Sequence, residues 1–197
     1  MQVEEKLIKK VLNRDVNAME ALYNQYAPAL LSLCFRYCGN REDAEDVLHD
    51  GFIKIMRNVA NFKVRKGSSF EGWMKRIMVN TALNHLRDRA KEKKFLDIEP
   101  IQDLLEINDE GEVGPDAVFP DVSQEKIMEI ICDLPPGYRT VFNLYVFENY
   151  LHKEIAELLC CSENTSKSQL SKARILLRKK LNQLASEKKT IKIYEKT

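Results

Sequence analysis

Residues 95–122 (FLDIEPIQDLLEINDEGEVGPDAVFPDV) limit what this 197-residue chain can become. They hold nine acidic residues, no basic one, three prolines and two glycines, and they keep no sustained apolar period. Repelling like charges and helix-breaking prolines predict a flexible acidic linker, with room for a short helix near 101–107. The chain is therefore expected as two folded units, one on each side of this segment.

Both flanks read as helix. In 1–94, Leu22, Tyr26, Leu30, Leu33 and Tyr37 recur at spacings of three and four, one buried stripe that Gly39-Asn40 ends. A second helix opens at Arg41-Glu42-Asp43, where acids suit a helix N-terminus, and continues through Val47, Leu48, Phe52, Ile55 and Met56. After an aperiodic stretch at 58–70, a third runs from Glu71 with Trp73, Ile77, Met78, Ala82 and Leu86 on one side. Beyond the linker, Ser123 starts a helix with Ile127, Ile130 and Ile131 inward, Leu134-Pro135-Pro136-Gly137 stops it, and another spans about 138–147. Only seven glycines and six prolines agree with an all-α fold of two helical domains.

Residues 152–182 carry the most chemistry. Two helices, about 152–159 and 163–182, meet at Cys160-Cys161-Ser162, with Ser162 as N-cap. At about 100° per residue, Ser166, Leu170, Ala173 and Leu177 face the protein. The opposite arc holds Asn164, Lys167, Ser168, Ser171, Lys172, Ile175 and Arg178, with Arg174 at its edge. Amides and hydroxyls for base edges beside cations for phosphates make this a candidate recognition helix in the DNA major groove.

Taken as a total, the net charge speaks against nucleic acid, since 31 Lys+Arg against 30 Asp+Glu leave +1. Placement removes the objection. Residues 72–94 carry net +5, residues 95–129 net −10 and residues 150–197 net +6. Five cysteines without a CxxC pair, and without His at metal spacing, read as buried reduced thiols of a cytoplasmic protein. No apolar run is long enough for a bilayer, and the amphipathic start MQVEEKLIKKVL is unlike a secretory signal. His49, His85 and His152 are scattered, and no nucleophile motif, phosphate loop or metal cluster supports catalysis or a cofactor.

Two blocks in this order resemble the bacterial sigma factors of the sigma-70 family, in its extracytoplasmic-function (ECF) group. ALYNQYAPALLSLCFRYCGNREDAEDVLHDGFIKIMRN with FEGWMKRIMVNTALNHLRDR looks like region 2, and LPPGYRTVFNLYVFENYLHKEIAELLCCSENTSKSQLSKARILLRKKL looks like region 4. The resemblance covers nearly all of 15–184. It implies that 1–94 binds core RNA polymerase and recognises and melts the −10 element. It further implies that 123–186 reads the −35 element as duplex, with 95–122 as tether and 187–197 as basic tail. Asp43, Glu45, Asp46, His49 and Asp50 fall on the polymerase-docking helix. Arg76 and Asn80 match the strand-contacting motif, and Lys63, Arg65, Lys66, Asn84 and Arg87 join them by position. The implied partners are core RNA polymerase, promoter DNA and an anti-sigma factor.

The family's geometry gives a check. Twenty-five base pairs between the elements cover roughly 85 Å, and 28 linker residues reach roughly 92 Å when extended. Departures from the family pattern touch promoter preference: His49 for Gln, Leu151 for a Ser or Thr cap, Cys160-Cys161 for Leu/Gly, Ser166 for a small aliphatic and Gln169 for Arg. The rival reading is a stand-alone helix-turn-helix regulator that binds operators without polymerase.

Overall fold

The structure is a computed structural model describing residues 2–62, 69–94 and 122–194. The described residues form eight α-helices and no strand. The first unit holds α1 (Gln2–Leu12), α2 (Val16–Cys38), α3 (Arg41–Asn58) and α4 (Phe70–Lys94), with a 3-10 turn at Val59–Asn61. The second holds α5 (Gln124–Cys132), α6 (Pro136–Phe142), a π-helical turn (Asn143–Phe147), α7 (His152–Leu159) and α8 (Glu163–Tyr194). The acidic segment and its short helix near 101–107 lie outside the described residues.

Helix ends follow side-chain chemistry. The Ala18 amide donates to Asp15 and the Asp43 amide to Asn40, so α2 and α3 start on conventional caps. Gly39 closes α2 at φ +80°, and a Cβ there would collide with the Arg139 guanidinium, so glycine is needed twice over. Gly51, in the middle of α3, leaves room for Met78 of α4 to pack against the α3 backbone.

The α2 stripe is as the spacing predicts: Leu22, Tyr26, Leu30, Leu33 and Tyr37 are all buried. On α4 the phase differs. Phe70, Met74, Met78, Val79, Ala82 and Leu83 form the buried row, while Trp73, Ile77 and Leu86 flank it half-buried. The row follows spacings of four from Phe70, which a reading started at Glu71 omitted. On α5, Ile130 and Ile131 are buried, whereas Ile127, expected inward, is 40% exposed. The expected thiol burial holds for Cys34 and Cys38, whereas Cys160 is exposed; all five cysteines are free. Helix α8 runs unbroken through 187 to Tyr194, with no backbone break where the basic tail was expected to begin.

The two units do not stand apart. Val141, Leu144, Ile155 and Leu170 of the second belong to the same buried cluster as the α2–α3–α4 core of the first. Helix α2 carries this joint: it packs on α3 and α4 along its length and on α5 and α6 at its C-terminal end.

Cys160 adopts φ +54°, a left-handed conformation that costs an L-residue about 1 kcal/mol more than glycine. Cys160→Gly is expected to raise the stability of the second unit by about 1 kcal/mol in urea unfolding followed by α7–α8 amide signals. No gain would contradict the assigned strain.

Candidate nucleic-acid interface

Helices α7 and α8 meet in a tight turn. Cys160 and Cys161 both turn their amides back to the Ala156 carbonyl, and the Ser162 hydroxyl accepts from the Thr165 amide at 2.9 Å. Leu151 has no capping oxygen, yet α7 is not frayed: the Glu154 carboxylate accepts from the Leu151 amide at 2.8 Å. Ile155 of α7 and Leu170 and Ala173 of α8 are buried.

Ser166 is also fully buried, at a position facing the protein. Its hydroxyl shares a hydrogen bond with His152 Nδ1 at 2.9 Å, and the His152 ring stacks on Tyr145 with centroids 4.7 Å apart. The Arg174 guanidinium lies 5.7 Å from the Tyr145 ring. Thus a chain from the π-helical turn through α7 pins α8 at two points. The pairing was missed from sequence, although a serine among Leu170, Ala173 and Leu177 is itself a signal, since a buried hydroxyl needs a partner. Burial lowers the His152 pKa, Lys167 adds to the effect and Glu163 opposes it, so the imidazole stays neutral near pH 7.

The outward side of α8 presents the expected groups. Asn164, Lys167, Ser168 and Arg174 are exposed, and Ser171, Lys172 and Arg178 are half-buried at the margins. Lys167 pairs with Glu163 at 3.1 Å, and Lys172 approaches the Tyr138 ring at 6.0 Å. Both cations are thereby held near the helix surface.

On α4, Arg76, Asn80, Asn84 and Arg87 are all exposed and follow one another at spacings of four, four and three, a continuous polar strip. Arg87 donates to Asn84 Oδ1 at 2.9 Å and to the Leu158 carbonyl of α7 at 2.5 Å. Lys63, Arg65 and Lys66 lie outside the described residues. At the edges of that loop, Phe62, Phe70 and Trp73 form a mutual aromatic cluster that Tyr26 joins. Phe70 is core, at 3% exposure; Phe62 and Trp73 remain half-buried.

The acids of α3 divide. Asp46, His49 and Asp50 are exposed, and Glu45 is held by Arg41 at 2.7 Å. Ile53, 48% exposed, extends the same strip by one turn; it was overlooked because it falls outside the Val47–Leu48–Phe52–Ile55 stripe. Asp43 instead turns inward, bound by Asn40 Nδ2 at 2.6 Å, by Arg89 and by His85 at 3.4 Å. Burial raises its pKa, but the Asn40 bond and the Arg89 and His85 charges outweigh that and hold it below the usual carboxylate value. Among the described residues no group of three His, Cys, Asp or Glu could hold a metal, and no helix is long and apolar enough to cross a membrane.

Comparison with known proteins agrees with this layout. The sigma-70 region 2 family matches residues 22–92 and the sigma-70 region 4 family matches 124–177. The RNA polymerase sigma-H factor of Pseudomonas aeruginosa is 29% identical over 188 residues, covering 93% of this chain and 96% of that protein. The ECF RNA polymerase sigma factor SigW of Bacillus subtilis is 30% identical over 184 residues, covering 91% and 97%. The sigma factor RpoE of Bartonella quintana, solved in complex with the anti-sigma factor NepR, has a similar fold. Its TM-score is 0.51 at 21% identity, covering 83% of this chain and 96% of that one.

The folded-state pKa of His152 lies below its unfolded value of about 6.5. Protonation therefore favours the unfolded chain, and the second unit is expected to lose stability as pH falls through about 6.5. A His152 ring titration by NMR should place its midpoint below 6.5; a midpoint at or above that value would contradict the assignment.

Proposed function

This chain belongs to the sigma-70 family, in the ECF group, and we propose on that footing that it binds core RNA polymerase and directs it to promoters. In this reading α8 takes the −35 element as duplex and α4 takes the −10 element as an opened non-template strand. The observation that carries it is the pair of polar, cation-bearing faces on α4 and α8, one in each unit.

Each face suits its proposed task. On α8, Lys167 and Lys172 would neutralise phosphates, and Asn164, Ser168 and Ser171 would reach base edges in the major groove. On α4, Arg76, Asn80, Asn84 and Arg87 would track a single strand, whose unstacking costs a few kcal/mol that backbone contacts must offset. Lys63, Arg65 and Lys66 are assigned to the same strand. The exposed α3 strip of Asp46, His49, Asp50 and Ile53, with Glu45 beside it, is assigned to the polymerase. Asp43 is assigned to the α3 N-terminus and its link to α4. The domain division follows: 1–94 for core binding and melting, 95–122 as tether and 123–186 for −35 readout. The activity is a non-enzymatic one in the bacterial cytoplasm, and an anti-sigma factor is a proposed further partner.

Reconstitution with bacterial core RNA polymerase and a promoter library tests the reading. Start-site-specific transcripts that require this chain are expected. Operator binding without polymerase, and no transcription with it, would establish the stand-alone regulator instead. Within the active system, Asn164→Ala should cost about 1–3 kcal/mol and relax preference at one −35 position. Lys167→Ala should weaken all sequences alike and reduce the salt dependence by about one counterion. Equal effects of the two substitutions on sequence preference would contradict the assigned roles.

A further inference from the structure

Two contacts anchor α8 along the segment assigned to the −35 element. In its first turn the buried Ser166 hydroxyl shares a hydrogen bond with His152 Nδ1 at 2.9 Å. Two turns on, the Arg174 guanidinium lies 5.7 Å from the centre of the Tyr145 ring, within cation–π range. The His152 ring stacks on Tyr145 at 4.7 Å and so joins the two contacts. The circuit leaves α8, crosses α7 and the π-helical turn, and returns to α8 eight residues later. Eight residues are about 12 Å along a helix and about 80° around it.

Apolar packing alone does not fix the roll of α8. Leu170 and Ala173 are buried, but burial rewards removal from water without regard to direction. A hydrogen bond tolerates only a few tenths of an ångström and a limited angle. Asn164, Ser168 and Ser171, the groups assigned to base edges, lie about 140° to 200° around α8 from Ser166, opposite the anchor. At a side-chain radius of about 6 Å, a roll of about 20° moves their tips by about 2 Å. A base-edge hydrogen bond does not survive such a displacement.

We infer that the Ser166–His152–Tyr145–Arg174 circuit determines −35 specificity by setting the roll of α8, and with it which base edges Asn164, Ser168 and Ser171 meet. The four are positioning residues, and Arg174 serves in this circuit instead of on a phosphate. Ser166 faces the protein beside Leu170 and Ala173, where an apolar side chain would complete the packing. A fully buried hydroxyl is tolerated there only with a partner, and His152 supplies it. This role rests on the assignment of α8 to the −35 element.

Holoenzyme assembled from core polymerase and the full chain, selected on promoters randomised at −35, tests it. Ser166→Ala, His152→Leu and Arg174→Gln should each reduce discrimination against single mismatches about tenfold, at several base pairs together. The salt dependence of binding should keep its wild-type slope, because Lys167 and Lys172 are untouched. Ser166→Ala should add nothing further in the His152→Leu background, where their shared bond is already lost. His152→Asn, whose side-chain amide stands at the place of Nδ1, should recover part of what His152→Leu loses. Circular dichroism checks that helix content is kept; where a buried substitution lowers it, the exposed Arg174→Gln carries the test. Unchanged discrimination, or a loss confined to one base pair, would overturn the circuit. A slope lower by about one counterion in Arg174→Gln would make that residue a phosphate contact and overturn its place here. If the wild-type holoenzyme gave no promoter-specific transcripts, the sigma reading would fall. The circuit would then be read on operator duplexes selected without polymerase, with the same expected pattern and the same contrary results.

Discussion

The Arg139 guanidinium sits where two helices end, donating to the Cys38 carbonyl that closes α2 and to the Cys132 carbonyl that closes α5. It is 6% exposed, and burial lowers its pKa, opposed by Cys132, Cys38 and Asp133. A buried cation is tolerable only with such acceptors, and here two helix C-terminal dipoles converge on it. Much else follows from its position. Gly39 has to lack a Cβ, because the guanidinium occupies that space. Helix α6 is set against the end of α2, which aligns Asn143 and Glu148 with Arg36 and carries the π-helical turn beneath His152. Through His152 and Ser166 the same support reaches α8.

That sequence of supports fixes how α8 is oriented on the rest of the chain. Recognition by side chains at base edges tolerates little angular error, so a recognition helix has to be oriented by groups that do not themselves touch DNA. Ile155, Leu170 and Ala173 supply the apolar part of that orientation, and the His152–Ser166 bond adds a directional one. The strip on α4 is held differently, by the Met74–Met78–Ala82 row buried against α2 and α3. In both cases the polar residues face outward because the apolar row opposite them is fixed.

Much of this was legible in the residues, for identifiable reasons. Helix spacing exposed the α2 stripe and the two faces of α8, and local chemistry marked the ends at Gly39, Ser123 and Ser162. These signals act within a few residues. The joint was invisible for the opposite reason: Arg36 and Glu148, or Arg139 and Cys38, are about a hundred residues apart and each reads alone as ordinary surface chemistry. The acidic segment directed attention to separation, yet the folded units share one buried cluster. Asp43 illustrates the same limit, since only the return of α4 brings His85 and Arg89 to it. The near-neutral charge, by contrast, became informative once placed: basic faces on α4 and α8 offset by acids elsewhere.

The central claim is that the end of α2 clasps the two units into one body through Arg139 and through the Arg36–Glu148 pair. Energy transfer between dyes placed at exposed Asp88 of α4 and exposed Lys153 of α7, introduced as non-cysteine labels, measures this directly. These positions lie beside the Arg87–Leu158 contact. The account predicts high transfer in the free chain and a clear loss of it in Arg36→Glu, which breaks the pair with Glu148. Low transfer in the wild-type chain, or transfer unchanged by Arg36→Glu, would contradict it.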